Sequence, residues 1–239
     1  MNILAIGNSF SEDATRYLKQ IADADGVDIT VVNLFIGGCP LSRHHDNMKN
    51  DAKAYGLQYN GEDVRIMVTL QEVLLSRQWD YITLQQVSNE SPDYKTYQPY
   101  LNELYQFVKE TAPNAKIGIH QTWAYEEGSE RLCVELGYQH HTEMFDHIKK
   151  AYENACRDIG ADFLIPSGEL FQKLIAKGYS VHRDTFHASL GFGRYALGLL
   201  WYQTLTKQNV ANNTFSCFDE AVTEDEIVCA KETVAELAN

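Results

Sequence analysis

The sequence predicts an α/β protein: a three-layer α/β/α sandwich built on a mainly parallel sheet of five strands. Three observations carry that expectation. Short apolar, β-branched runs alternate with longer helical patterns, the rhythm of β-α-β units joined by right-handed crossovers. No period of about 20–50 residues recurs, and no Pro-, Ser- or Gly-rich stretch divides the chain. The 239 residues are 44% hydrophobic and 22% charged, a globular composition in a chain long enough to bury a core without disulfides or a structural metal. A single domain over residues 1–239 is expected.

The candidate strands are Asn2–Ile6, Ile29–Phe35, Tyr81–Gln85, Lys116–His120 and Asp162–Ile165, each about the length of a buried parallel strand. A first helix follows Ser9 and Ser11, with Glu12 and Asp13 in its first turn and Gly26 just past its end. Further helices are expected over Leu41–Lys53, Thr69–Arg77, Tyr97–Thr111, Gln139–Ile159, Gly168–Lys177 and Leu190–Thr206, with Ser189 able to cap the last. A C-terminal helix is expected within 222–239, about Glu224–Leu237. The stretch 55–68, turning at Asn60-Gly61, is expected as a hairpin inserted outside the sheet.

Charge narrows the partners. Twenty Lys and Arg face 33 Asp and Glu, a net charge of -13. The basic residues are scattered, which argues against nucleic acid, anionic membranes and polyanionic substrates. Small neutral substrates remain open. No apolar run approaches the roughly 20 residues of a membrane span, and the start of the chain lacks a basic n-region and apolar h-region. The expectation is a cytoplasmic protein, or a secreted one whose leader has been removed. Cys39, Cys133, Cys156, Cys217 and Cys229 form no C-x-x-C pair, which fits reduced thiols. His44-His45-Asp46 and His140-His141 with Glu143 read as solvated helix faces. Adjacent imidazoles on a helix point about 100° apart, so no metal site is expected.

A parallel sheet puts its binding crevice at the carboxyl ends of its strands, and the residues there are polar and small. Strand one ends in Gly7-Asn8-Ser9-Phe10-Ser11, strand two in Gly37-Gly38-Cys39-Pro40 and strand three in Gln85-Gln86-Val87-Ser88-Asn89. Strand four ends in Gln121-Thr122-Trp123-Ala124-Tyr125. Arg183-Asp184-Thr185-Phe186-His187 follows after strand five and one helix.

Ser9 reads two ways. It has N-cap character, with Glu12 at capping-box spacing, and it is also a serine exposed on a strand-to-helix turn. There the helix N-terminus favours developing negative charge. As a nucleophile it needs a base held by a third group, and Asp184-x-x-His187 supplies both in one loop. Oxyanion donors are available from the Ser9 amide, from Gly38 or Gly37, and from a side-chain amide among Gln85, Gln86 and Asn89. Trp123 and Tyr125 are candidates for the wall of an acyl or sugar pocket, with burial in the core as the alternative. His120 and Cys39 read as structural.

These blocks resemble the SGNH (GDSL-type) serine hydrolases, and more closely a bacterial branch of that superfamily. The resemblance rests on Gly7-Asn8-Ser9-Phe10-Ser11, Ile36 to Leu41, Asp80 to Ser88, Thr122-Trp123-Ala124-Tyr125, Ile165-Pro166-Ser167-Gly168 and Asp184 to His187, with Gly193-Arg194-Tyr195 following. It spans about residues 2–205. It implies a flavodoxin-like sandwich, with Ser9 as nucleophile, His187 as base and Asp184 as its orienter. Asn8 stands where the superfamily usually has Asp, and the usual G-x-N-D block is not obvious. Gln85 is the favoured third oxyanion donor and Asn89 the alternative. The activity the resemblance implies is hydrolysis of a short acyl ester, acetyl first among them, on a small-molecule or carbohydrate alcohol, with no cofactor required. A non-catalytic carbohydrate- or nucleotide-binding domain on the same fold is the competing reading.

Overall fold

The computed structural model describes residues 1–237. The strands are β1 (Asn2–Gly7), β2 (Thr30–Phe35), β3 (Tyr55–Tyr59), β4 (Glu62–Val68), β5 (Tyr81–Leu84), β6 (Lys116–His120) and β7 (Leu164–Ile165). The helices are α1 (Ser9–Thr15), α2 (Leu18–Ala24), α3 (Leu41–Lys49), α4 (Leu70–Leu75), α5 (Tyr100–Thr111), α6 (His141–Ile159), α7 (Ser167–Ala176), α8 (Phe192–Thr206) and α9 (Glu224–Glu236). The strand order is β4-β3-β2-β1-β5-β6-β7. The five strands β2, β1, β5, β6 and β7 run parallel, so the α/β sandwich is as expected.

β1 lies between β2 and β5 and is buried from Ile3 to Gly7. Helices cover both faces of a parallel sheet, which is why its central strand reads as an uninterrupted apolar run rather than an alternating one. Ile3, Leu4, Ala5 and Ile6 belong to one continuous hydrophobic core that also takes in Ile82, Leu84, Ile117 and Ile119. The buried face of α8, with Leu197, Leu199, Leu200 and Trp201, joins the same core.

The 55–68 hairpin departs from expectation. It does not lie outside the sheet: β3 pairs antiparallel with β2 from Val32↔Tyr59 to Phe35↔Gly56, and β4 continues as the edge strand. The sheet therefore has seven strands, not five. β4 contains no buried residue, so the sequence carries no burial pattern to mark it as sheet. The hairpin's place follows from backbone hydrogen bonding of β3 at the free edge of β2, with β4 pairing in turn on β3.

Two helix boundaries also matter. The first predicted helix breaks at Arg16-Tyr17 into α1 and α2. There the Tyr17 hydroxyl donates to the Leu190 carbonyl (2.6 Å) and accepts from the Asp219 amide (2.7 Å). α9 opens with a Thr223/Glu226 capping box; of the expected span 222–239, the last two positions lie outside the described residues. Among the described residues no helix is long and apolar enough to cross a membrane.

Candidate active site

At the turn from β1 into α1 the structure corrects the helix cap. Asn8, not Ser9, caps α1: its Oδ1 accepts from the Phe10 amide at 3.0 Å. Ser9 is the first helical residue, and its hydroxyl is free to face outward. Glu12, the expected capping-box partner, instead accepts from Gln58 Nε2 at 2.6 Å. The turn also needs a glycine before it. A Cβ on Gly7 would lie 2.6 Å from Ser11 Oγ and 2.8 Å from Gln85 Oε1, so even alanine does not fit.

Ser9 Oγ lies 2.8 Å from His187 Nε2, and His187 Nδ1 lies 2.8 Å from Asp184 Oδ2. The other Asp184 oxygen accepts from the His187 backbone amide at 2.9 Å, so one carboxylate grips both the ring and the main chain. An ionised carboxylate only accepts; Nδ1 therefore carries the proton and Nε2 is left as acceptor for the serine hydroxyl. Partial burial pushes the Asp184 carboxyl up, but the hydrogen bonds from the His187 ring and amide, with Arg183 nearby, hold it below the usual carboxylate value. The loop curls tightly enough because Thr185 adopts a positive φ of 73°, an unusual conformation for a β-branched residue.

That loop is clamped to α1. Asp13 is fully buried. It accepts from Arg183 Nη1 (2.9 and 3.0 Å), Arg194 Nε (2.8 Å) and the Ala188 amide (3.0 Å). From the other side, Trp123 Nε1 donates to the Phe186 carbonyl at 2.8 Å. The segment that carries His187 is thus tied to the helix that carries Ser9 and to the end of β6.

A crevice of about 660 Å³ opens above these residues, lined by Asn8, Ser9, Gly37, Gly38, Val87, Ser88, Asn89, Tyr125, Arg131, Glu135, Leu136, Phe186 and His187. Gly38 has φ 59° and nothing within 4 Å of where a Cβ would be. Asn8 Nδ2 donates to the Cys39 carbonyl at 3.2 Å, tying the glycine loop to the turn that carries Ser9. Among the described residues, neither the Ser9 nor the Gly38 amide donates to a protein acceptor.

The two side-chain amides separate. Asn89 lines the crevice. Gln85, the favoured candidate, does not: it is buried beneath the turn, with Nε2 donating to Asn8 Oδ1 (2.8 Å) and Oε1 bonded to His120 Nδ1 (2.9 Å). His120 continues to Ser167 Oγ at 3.0 Å, and its burial lowers it to about 3, so it stays neutral. Gln86 is likewise occupied, accepting from the Leu41 amide and donating to Thr96. The aromatic pair divides in the same way. Tyr125 reaches the crevice, its hydroxyl 2.9 Å from Ser88 Oγ. Trp123 is fully buried and stacks on Phe10 at 4.0 Å, so it supports the loop from below instead of forming the pocket wall.

Sequence reasoning passed over Arg131 and Glu135, and named Phe186 only as a member of the block ending in His187, with no role of its own. Arg131 opens a π-helical turn, Arg131–Glu135, a feature often found at functional sites. Its guanidinium lies over the Phe186 ring, 4.1 Å from the centroid, and that ring packs on His187 at 3.8 Å. The stretch between β6 and α6 has no hydrophobic period to draw attention to it. Among the described residues, no group of three or more His, Cys, Asp or Glu is arranged to hold a metal ion.

Residues 2–236 match a family described as a domain of unknown function, DUF4886. The chain belongs to the DUF4886 family. A crystal structure of a DUF4886 protein from Bacteroides uniformis is 33% identical and superposes with a TM-score of 0.92, over 99% of this chain and 93% of that one. Beyond the DUF4886 members the likeness is one of fold. A candidate SGNH hydrolase from Slackia heliotrinireducens is 23% identical (TM-score 0.62, 86% of this chain, 98% of that one). The lipase/acylhydrolase of Enterococcus faecalis is 11% identical (TM-score 0.56, 86% and 95%). This DUF4886 chain therefore has the SGNH hydrolase fold. No curated protein matches it.

Proposed function

We propose that the protein is a serine esterase that removes a short acyl group, acetyl by preference, from a small or carbohydrate alcohol. The observation that carries the reading is the unbroken hydrogen-bonded line Ser9–His187–Asp184 at the floor of an open crevice. Ser9 Oγ attacks the ester carbonyl as its proton passes to His187 Nε2. The tetrahedral oxyanion is held by the amides of Ser9 and Gly38 and by the Asn89 side chain, residues that line the crevice beside the serine hydroxyl. Gln85 acts one step back, by fixing Asn8. Collapse breaks the bond to the alcohol, which leaves with the proton from His187. Water then attacks the acyl-enzyme, giving its proton to His187, and Ser9 is regained with release of the carboxylic acid. Asp184 keeps the ring in the required tautomer throughout. Tyr125 and Phe186 flank the acyl or alcohol group, which favours small substrates.

The test is steady-state hydrolysis of p-nitrophenyl acetate. The wild type should turn over, while Ser9→Ala and His187→Ala, folded by circular dichroism, should lose about 10⁴-fold or more in kcat. Turnover that survives Ser9→Ala rules the mechanism out. Saturable sugar binding without turnover would favour the non-catalytic reading.

A further inference from the structure

The crevice holds a cation that the ester chemistry does not use. Arg131 Nη1 is 4.0 Å from Glu135 Oε2, beyond hydrogen-bond reach. Among the described residues no other side chain or carbonyl accepts from its guanidinium. Its guanidinium carbon lies over the Phe186 ring, 4.1 Å from the centroid, and that ring packs on His187. A stacked guanidinium is held in orientation while its N–H edge stays open, the arrangement suited to gripping a carboxylate with two parallel hydrogen bonds. Ser88 and Tyr125 line the same crevice; one of their hydroxyls donates to the other, and the second keeps its proton to donate to the same oxygens.

Resting on the esterase reading, we infer that the preferred substrate is an ester whose alcohol carries a carboxylate close to the scissile bond, bound by Arg131. The anion is a monoanion rather than a phosphate ester or polyanion. A single guanidinium with Glu135 beside it compensates one charge, and the acidic surroundings repel more. Glu135 is half-exposed and swings to solvent when the carboxylate takes its place. Sugars bearing a carboxylate on the ring next to an acylated hydroxyl meet this description.

The test compares 3-acetoxybenzoate with its uncharged amide, 3-acetoxybenzamide. The wild type should favour the carboxylate by about tenfold or more in kcat/KM, the size of one charge-assisted contact. The preference should shrink with added salt. Arg131→Gln should bring the ratio near one and Arg131→Lys should retain part of it. Because the two rates are compared within each variant, a general loss of structure lowers both and leaves the ratio alone. A wild-type ratio near one, or a ratio unchanged in Arg131→Gln, overturns the inference. Calorimetric titration of 3-acetoxybenzoate into Ser9→Ala separates this result from failure of the esterase reading. If the wild type hydrolyses neither ester, binding that disappears in Ser9→Ala/Arg131→Gln still supports carboxylate recognition, and absence of binding overturns it.

Discussion

At the residue scale, Asp184 carries two duties with two oxygens: one orders the His187 main chain and the other its ring. Asp184→Asn keeps the size of the side chain but replaces an acceptor pair with one acceptor and one donor. The ring then loses the partner that fixes its tautomer. The expected result is a fall in kcat of about 10³–10⁴-fold with KM little changed; a loss under tenfold would mean the carboxylate is not orienting the base. The motif containing this residue was legible in the sequence, since D-x-x-H sat past the last strand. Two neighbours were not. Asn8 was passed over as cap in favour of Ser9, because both are good cap residues and only the fold decides between them. Asp13 read only as an acidic residue in the first turn of the helix. Its partners Arg183 and Arg194 lie some 170 and 181 positions away, and no local pattern announces them.

At the element scale, α1 and the 182–188 loop form one mechanical unit through Asp13, with Arg194 of α8 as a second anchor. Arg194 also reaches Asp219 (3.0 Å), which pairs with Arg16 just beyond α1. Cutting one member of such a buried network leaves the others uncompensated. Asp13→Asn should therefore cost about 3–5 kcal/mol of stability, read as a lower urea midpoint. Its activity should fall further than that of variants matched for stability elsewhere, because the distance from Ser9 to His187 depends on this clamp. An Asp13→Asn protein of unchanged stability would show that the network is dispensable. The elements themselves were legible where burial shaped the sequence: the parallel strands are runs of Ile, Val and Leu. The hairpin was misjudged because β4 faces solvent on both sides and a strand without a buried face has no hydrophobic period.

At the scale of the whole molecule, the fold keeps three imidazoles neutral. Burial pushes His44 and His120 down to about 3, and His182 to about 4, the last against an opposing hydrogen bond to the Ala124 carbonyl. An unfolded histidine titrates near 6.5. Below that pH the unfolded chain binds protons that the folded one refuses, so the stability they contribute is full above about 6.5 and drains away as pH falls towards 4. Each adds a slope of about 1.4 kcal/mol per pH unit across that window. Urea midpoints measured from pH 7.5 to 5 should fall steadily below about pH 6.5. A level profile over that range would contradict the assignment of these rings as neutral and buried.

The strand-end crevice is where these scales meet, since α1 brings the serine and a loop nearly 180 residues later brings the histidine. The central claim is that Ser9 is made nucleophilic by that meeting. Labelling with a fluorophosphonate, followed by peptide mass spectrometry, tests it most directly. The account predicts one adduct per chain, on Ser9, absent from Ser9→Ala and greatly slowed in His187→Ala. Labelling at another residue, or a folded wild type that takes up no label, would contradict it.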